Sequence, residues 1–143
     1  MSDQTTQNDP LAGGCYCGAV RFEVVEPAIG QGQCHCRACQ HIAGGAPQYF
    51  LLVPKDGLHW SGKGCATFKK PDLEDAVTRY FCPDCGTHIA TRRPDQSAWV
   101  LKVGTLDDPS DFAPRFAICY AQAQPFHMVP DGIPVFDDIP NRA

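Results

Sequence analysis

Seven of the nine cysteines in this 143-residue chain stand in three tight groups: Cys15-Tyr16-Cys17, Cys34-His35-Cys36-Arg37-Ala38-Cys39 and Cys82-Pro83-Asp84-Cys85-Gly86. Two cysteines separated by one or two residues can grip one tetrahedral zinc ion, whereas adjacent disulfides fit that spacing badly. The seven sulfurs divide most naturally into four plus three, so two zinc ions per chain are expected. Cys15, Cys17, Cys82 and Cys85 then form a closed structural site. Cys34, Cys36 and Cys39 remain as a local site whose fourth vertex stays open to water or a substrate, unless His35, His41 or His88 fills it.

Local geometry supports these groupings. Alternate residues of an extended strand project to one side, so Cys15 pairs with Cys17, and Cys34 with Cys36, while His35 turns away. Pro83 presets a tight turn, and Gly86 admits the positive φ usual after a zinc knuckle. Cys65 and Cys119 stand alone in apolar runs and are read as buried core.

An ion bound by three thiolates carries a formal charge of 2 − 3 = −1. That makes it a poor generator of hydroxide compared with a neutral three-histidine site, which brings bound water to a pKa of about 7. Its affinity for soft sulfur ligands is high. The open vertex is therefore predicted to take a substrate thiol as thiolate, and Cys34, Cys36 and Cys39 are the predicted catalytic residues. A free thiol with a pKa of about 8.5 is only slightly ionised at neutral pH. The thiolate would add to an aldehyde carbonyl, with His35, Tyr49 or His88 as candidates to handle the proton.

The elements that position these groups read as short strands punctuated by thirteen glycines and thirteen prolines. Val20, Phe22 and Val24 alternate with polar residues, as in a half-buried strand. Further strands are expected at Gln48–Val53, Ala76–Phe81, Thr87–Arg92, Ala98–Val103 and Phe116–Tyr120. Leu58–Phe68 reads as a hairpin turning at Ser61-Gly62-Lys63-Gly64. Only Arg37–Ile42 and Pro109–Phe112 suit a helical turn. The proline-bearing tail is expected to lie as extended coil pinned by Ile133, Val135 and Phe136. The expectation is one all-β domain over residues 11–143, a small barrel or folded sheet stapled by zinc, after a disordered tail at 1–10.

A formal charge of −4, a pI of about 5.6 and no Lys/Arg-rich run argue against a nucleic-acid partner. No apolar run approaches the roughly 20 residues of a spanning helix, so no membrane partner is expected. The first ten residues lack the features of a signal peptide. An odd number of cysteines without an export signal suits a reducing cytoplasm, where metal is favoured over disulfides.

On these residues the chain resembles the glutathione-dependent formaldehyde-activating enzyme family, whose zinc domain also occurs in centromere protein V. The resemblance runs through Gly13–Phe22, Cys34–Cys39 with Gly44, Phe81–Ile89, Gly104–Pro109, Pro125-Phe126 and Asp131–Pro134. It implies an Mss4-like β fold, a structural zinc on Cys15, Cys17, Cys82 and Cys85, and a catalytic zinc on Cys34, Cys36 and Cys39. It further implies condensation of formaldehyde with glutathione to S-hydroxymethylglutathione, a carbon–sulfur lyase reaction run in reverse. Family members often carry His-Ile where this chain has Ala117-Ile118, and Pro-Trp where it has Pro125-Phe126. Gln40-His41 replaces a more usual basic start after the second cluster. These positions are expected to shape the substrate pocket. The competing readings are a thiol-binding zinc module without turnover and a macromolecular interaction module.

Overall fold

The computed structural model describes residues 11–95 and 97–139; the tail expected at 1–10 lies outside them. Strand β2 (Val20–Val24) buries Val20, Phe22 and Val24 and turns Arg21 and Glu23 outward. Strands β1 (Leu11–Gly14) and β5 (Leu58–Gly62) flank it antiparallel, giving a three-stranded sheet in the order β1-β2-β5. A second sheet of seven strands comprises β3 (Gly30–Cys34), β4 (Gln48–Pro54), β6 (Ala66–Lys69), β7 (Thr78–Phe81), β8 (His88–Arg92), β9 (Ala98–Lys102) and β10 (Ala117–Ile118). Its order is β10-β3-β4-β9-β8-β7-β6, antiparallel except where β10 runs parallel to β3. The expected all-β class is what the chain adopts, with one short helix, α1 (Arg37–Ile42), where a helical turn was predicted.

The larger sheet carries two separate cores. Phe50 and Leu51 are consecutive in β4 and so point to opposite faces. Leu51 joins Val53, Ile89, Trp99 and Leu101 against Val20, Phe22, Val24 and Leu58 of the small sheet. Edge-on contacts of Trp60 with Phe22 and Trp99, at 6.2 and 5.6 Å between ring centroids, close this interior. Phe50 faces the other way, into a cluster with Cys34, Cys39, Ile118 and Cys119.

Three expectations need correction. Leu58–Phe68 is not a hairpin: β5 pairs with β2, and β6 pairs with β7 in the other sheet. Gly62 has φ +73°, a Cβ there would stand 2.4 Å from the Ala19 carbonyl oxygen, and Lys63 N–H donates to that oxygen at 2.8 Å. The chain therefore stays with β2 and leaves the small sheet instead of folding back. Pro109–Phe112 forms only a turn, with Phe112 N–H on Pro109 O at 3.0 Å. The C-terminal strap is held by backbone bonds, Phe136 N–H to Ala117 O at 2.9 Å and Ala117 N–H to Pro134 O at 3.0 Å, while Val135 and Phe136 stay exposed.

Phe22 is 1% exposed at the centre of the main core. Phe22→Ala is expected to cost about 3–5 kcal/mol in urea unfolding. A loss below about 1 kcal/mol would place the main core elsewhere.

Candidate metal centres

The β1–β2 turn carries Cys15 and Cys17, and the β7–β8 turn carries Cys82 and Cys85. Their four sulfurs all lie within 4.8 Å of one another. Cys17 Sγ is 3.6 Å from Cys15 Sγ and 3.8 Å from Cys82 Sγ. Val20 N–H donates to Cys15 Sγ at 3.2 Å, and Asp84 and Cys85 N–H to Cys82 Sγ at 3.3 and 3.4 Å. Gly86 takes φ +80°, as the knuckle requires. Thr87 ties the two turns together: its hydroxyl accepts Tyr16 N–H at 3.1 Å and lies 3.2 Å from Cys85 Sγ. Thr87, first through its hydroxyl and then its backbone, lowers the Cys85 thiol to about 6. Backbone donors aimed at clustered sulfurs fit a thiolate-bound cation.

Cys34, Cys36 and Cys39 form the second group, again with all sulfurs within 4.8 Å. Cys34 ends β3; Cys36 is the N-cap of α1, its sulfur accepting Cys39 N–H at 3.3 Å. One side chain thus starts the helix and joins the sulfur cluster. Cys34 and then Cys39 donate to Cys36 and hold its thiol far below the ordinary value. Cys34 is pushed up by Cys119 and then Cys36, and Cys39 by Cys34 and then Cys36. Three sulfurs this close cannot all ionise alone, so the group's chemistry fits a soft divalent cation. Among the described residues, no histidine or carboxylate completes it.

His35 lies fully buried, pointing away from the sulfurs as expected, and is bound at both ring nitrogens. His127 Nε2–H donates to Gly45 O at 2.8 Å, which leaves His127 Nδ1 as acceptor for His35 Nδ1–H at 2.8 Å. His35 Nε2 then accepts from Gln33 Nε2 at 3.0 Å, and Gln33 also donates to Met128 O at 2.9 Å. This chain of bonds engages both nitrogens of each ring and ties residues 127–128 to the backbone between Cys34 and Cys36. Burial, and secondarily His127, lower the His35 pKa. His41 is exposed on α1. Tyr49, next to Phe50, faces the opposite side of the sheet and packs on Phe112 at 5.7 Å.

Four residues near the second group went unrecognised in the sequence. Cys119, read as core, is buried as expected but interacts with Cys34. His127 locks His35. Lys102 pairs with Phe50 across β9 and β4 and so shares the face of Cys34. Burial lowers its ammonium to about 8, opposed first by Cys39; Arg79 adds to the lowering, while Cys34 and Cys36 resist it. Arg79 also acts on Cys36 and, with Lys102, on His88. A lysine among the apolar alternation of Ala98–Val103 was the available signal. His88 stacks on Phe81, and its Nδ1 is buried without a partner among the described residues.

A family model described as glutathione-dependent formaldehyde-activating enzyme matches residues 10–122. The chain belongs to this family. A Halomonas elongata relative is 31% identical over 84 residues, covering 55% of this chain and 54% of its own length. A Penicillium rubens relative is 26% identical over 122 residues, covering 79% and 63%. Both are provisionally named glutathione-dependent formaldehyde-activating enzymes, and the chain spans less than two thirds of their length in each case. A crystal structure of a Rhodobacter sphaeroides protein shares the fold, with a TM-score of 0.57 at 16% identity over 87% of this chain and 98% of that one. No helix among the described residues is long and apolar enough to cross a membrane.

Two expected outcomes follow from this geometry. Metal analysis of the purified protein should give two zinc ions per chain, and Cys36→Ser should leave one; an unchanged count would separate the three-cysteine group from metal. The lowered pKa of His35 contributes stability that is fully present above its unfolded value of about 6.5 and lost as pH falls through the folded value. In urea unfolding of the metal-loaded protein between pH 7 and 5, His35→Gln should therefore lose stability less steeply than wild type. Parallel pH profiles would contradict a lowered His35 pKa.

Proposed function

We propose that this chain is a zinc-dependent carbon–sulfur lyase that joins a glutathione-like thiol to a small aldehyde such as formaldehyde, giving an S-hydroxymethyl thiol. The observation that carries this reading is a group of three cysteine sulfurs that, among the described residues, no fourth ligand joins within 4.8 Å, with Cys119 beside Cys34 outside the group, on a face where Lys102 and Arg79 form none of the salt bridges among those residues. Family membership supports the same substrates. Cys15, Cys17, Cys82 and Cys85 would hold a structural zinc, and Cys34, Cys36 and Cys39 a second one. When bound there, zinc supplies a soft Lewis acid that favours thiolate over thiol.

The chain's own residues do the remainder. In the net reaction the thiol sulfur forms a bond to the carbonyl carbon, the C=O π pair moves to oxygen, and the proton lost by sulfur ends on that oxygen. Holding both reactants in one site removes the entropic cost of their encounter. Of the three candidates for carrying the proton, His35 is engaged at both nitrogens and Tyr49 turns to the other face. His88 remains, with an unpartnered Nδ1 and a pKa lowered by burial and then by Arg79 and Lys102, so it is a neutral base at pH 7. The α1 helix and the His35–His127 tether fix the backbone of the sulfur cluster.

Formaldehyde and thiols combine unaided, so the test must measure acceleration. NMR exchange spectroscopy of formaldehyde with glutathione should show faster interconversion with the wild-type protein than with Cys36→Ser. Equal rates would leave a thiol-binding module without turnover. His88→Gln should slow exchange by about 10²-fold or more while retaining both metals; an unaltered rate would remove His88 from proton transfer.

A further inference from the structure

Lys102 is 4% exposed, in the middle of a sheet, and its ammonium makes no hydrogen bond or salt bridge among the described residues. A buried lysine normally has an acid beside it, because an unpaired charge removed from water is costly. The three salt bridges among the described residues, Arg21–Asp107, Lys63–Asp84 and Lys70–Asp72, are all exposed and all elsewhere. What Lys102 faces instead is sulfur. Its register partner Phe50 packs with Cys34 and Cys39, and Val100, two residues earlier on the same face, packs against that cluster too. Arg79 stands opposite Thr91, which stands opposite Val100, so Arg79 projects to this same face.

The charges then decide what the cations are for. A divalent ion on three thiolates carries 2 − 3 = −1, which a single cation balances. Lys102 and Arg79 bring the ion and its three sulfurs to −1 + 2 = +1, while the one acid that acts on the neighbouring Cys119, Asp138, is exposed and screened by solvent. An added thiolate brings the total to zero. We propose that Lys102, backed by Arg79, is a positioning residue that holds an anionic ligand at the three-sulfur centre, selecting a thiolate over a neutral ligand of similar size. This inference rests on reading that centre as the thiol site. It explains why a lysine stands where an apolar residue would pack at no electrostatic cost. It also explains how a centre already rich in negative charge accepts more.

The test uses the full chain loaded with cobalt(II), whose visible and near-ultraviolet bands report each ligand added. Wild type, Lys102→Met and Lys102→Arg are titrated with 2-mercaptoethanol, which has no carboxylates, and with imidazole, which is neutral. The expected result is that Lys102→Met binds the thiol about tenfold or more weakly, as for loss of one close charge. Its metal content and imidazole affinity should match wild type, and Lys102→Arg should bind the thiol as wild type does. Equal weakening of thiol and imidazole, or no weakening of either, would overturn the inference. So would loss of cobalt in Lys102→Met with retention in Lys102→Arg, which assigns the lysine to charge balance of the sulfurs alone. A wild-type protein that takes up no thiol would instead refute the thiol-site reading, and the inference with it.

Discussion

Sulfur atoms packed within 4.8 Å of one another set the constraint on which this fold depends. Two thiolates about 4 Å apart repel by roughly 4 kcal/mol at an effective dielectric constant of about 20. A cluster of three or four therefore either shares its protons or surrounds a cation. In the first group the backbone supplies N–H donors from Val20, Asp84 and Cys85, and Thr87 joins the two turns. In the second, Cys39 N–H is the one backbone donor directed at a sulfur among the described residues, and side-chain cations stand nearby instead. The two clusters are solvated by the protein in different ways, which accords with one closing the fold and the other meeting a ligand.

The seven-stranded sheet separates these roles. Its inner face packs on the small sheet, and Cys15 and Cys82 from the two turns join that main core. Its outer face carries Cys34, Phe50 and Lys102, which Cys39 of α1 and Phe116, Ile118 and Cys119 around the edge strand β10 join. Because alternation along β4 and β9 sends neighbours to opposite sides, one strand serves core and site at once: Leu51 and Leu101 inward, Phe50 and Lys102 outward. Shifting β9 by a single residue would put Lys102 into the apolar interior and Leu101 beside the sulfurs.

Much of this was legible in the chain. Tight cysteine spacing is a local signal, and both sulfur groups came together as the spacing implied. Alternation marked β2, and a positive φ at Gly86 followed from the knuckle. What escaped was relational. Leu58–Phe68 looks like a hairpin because local turn residues carry no information about which sheet each arm will join. Cys119 and Cys34 are 85 positions apart in sequence, and only the parallel pairing of β10 with β3 brings them side by side. Lys102 needed the register with Phe50, and His127 needed the strap folded over Gly45. Long-range pairing decides all four, and periodicity does not encode it.

The central claim is that one centre is saturated with protein sulfur while the other has room for an external thiol. X-ray absorption at the zinc edge of the fully loaded protein measures this directly. The sulfur shell per zinc should be intermediate between three and four in the isolated protein and rise to four when glutathione is added. Four sulfurs per zinc before any thiol is present, with no change on adding it, would show that the chain closes both centres itself.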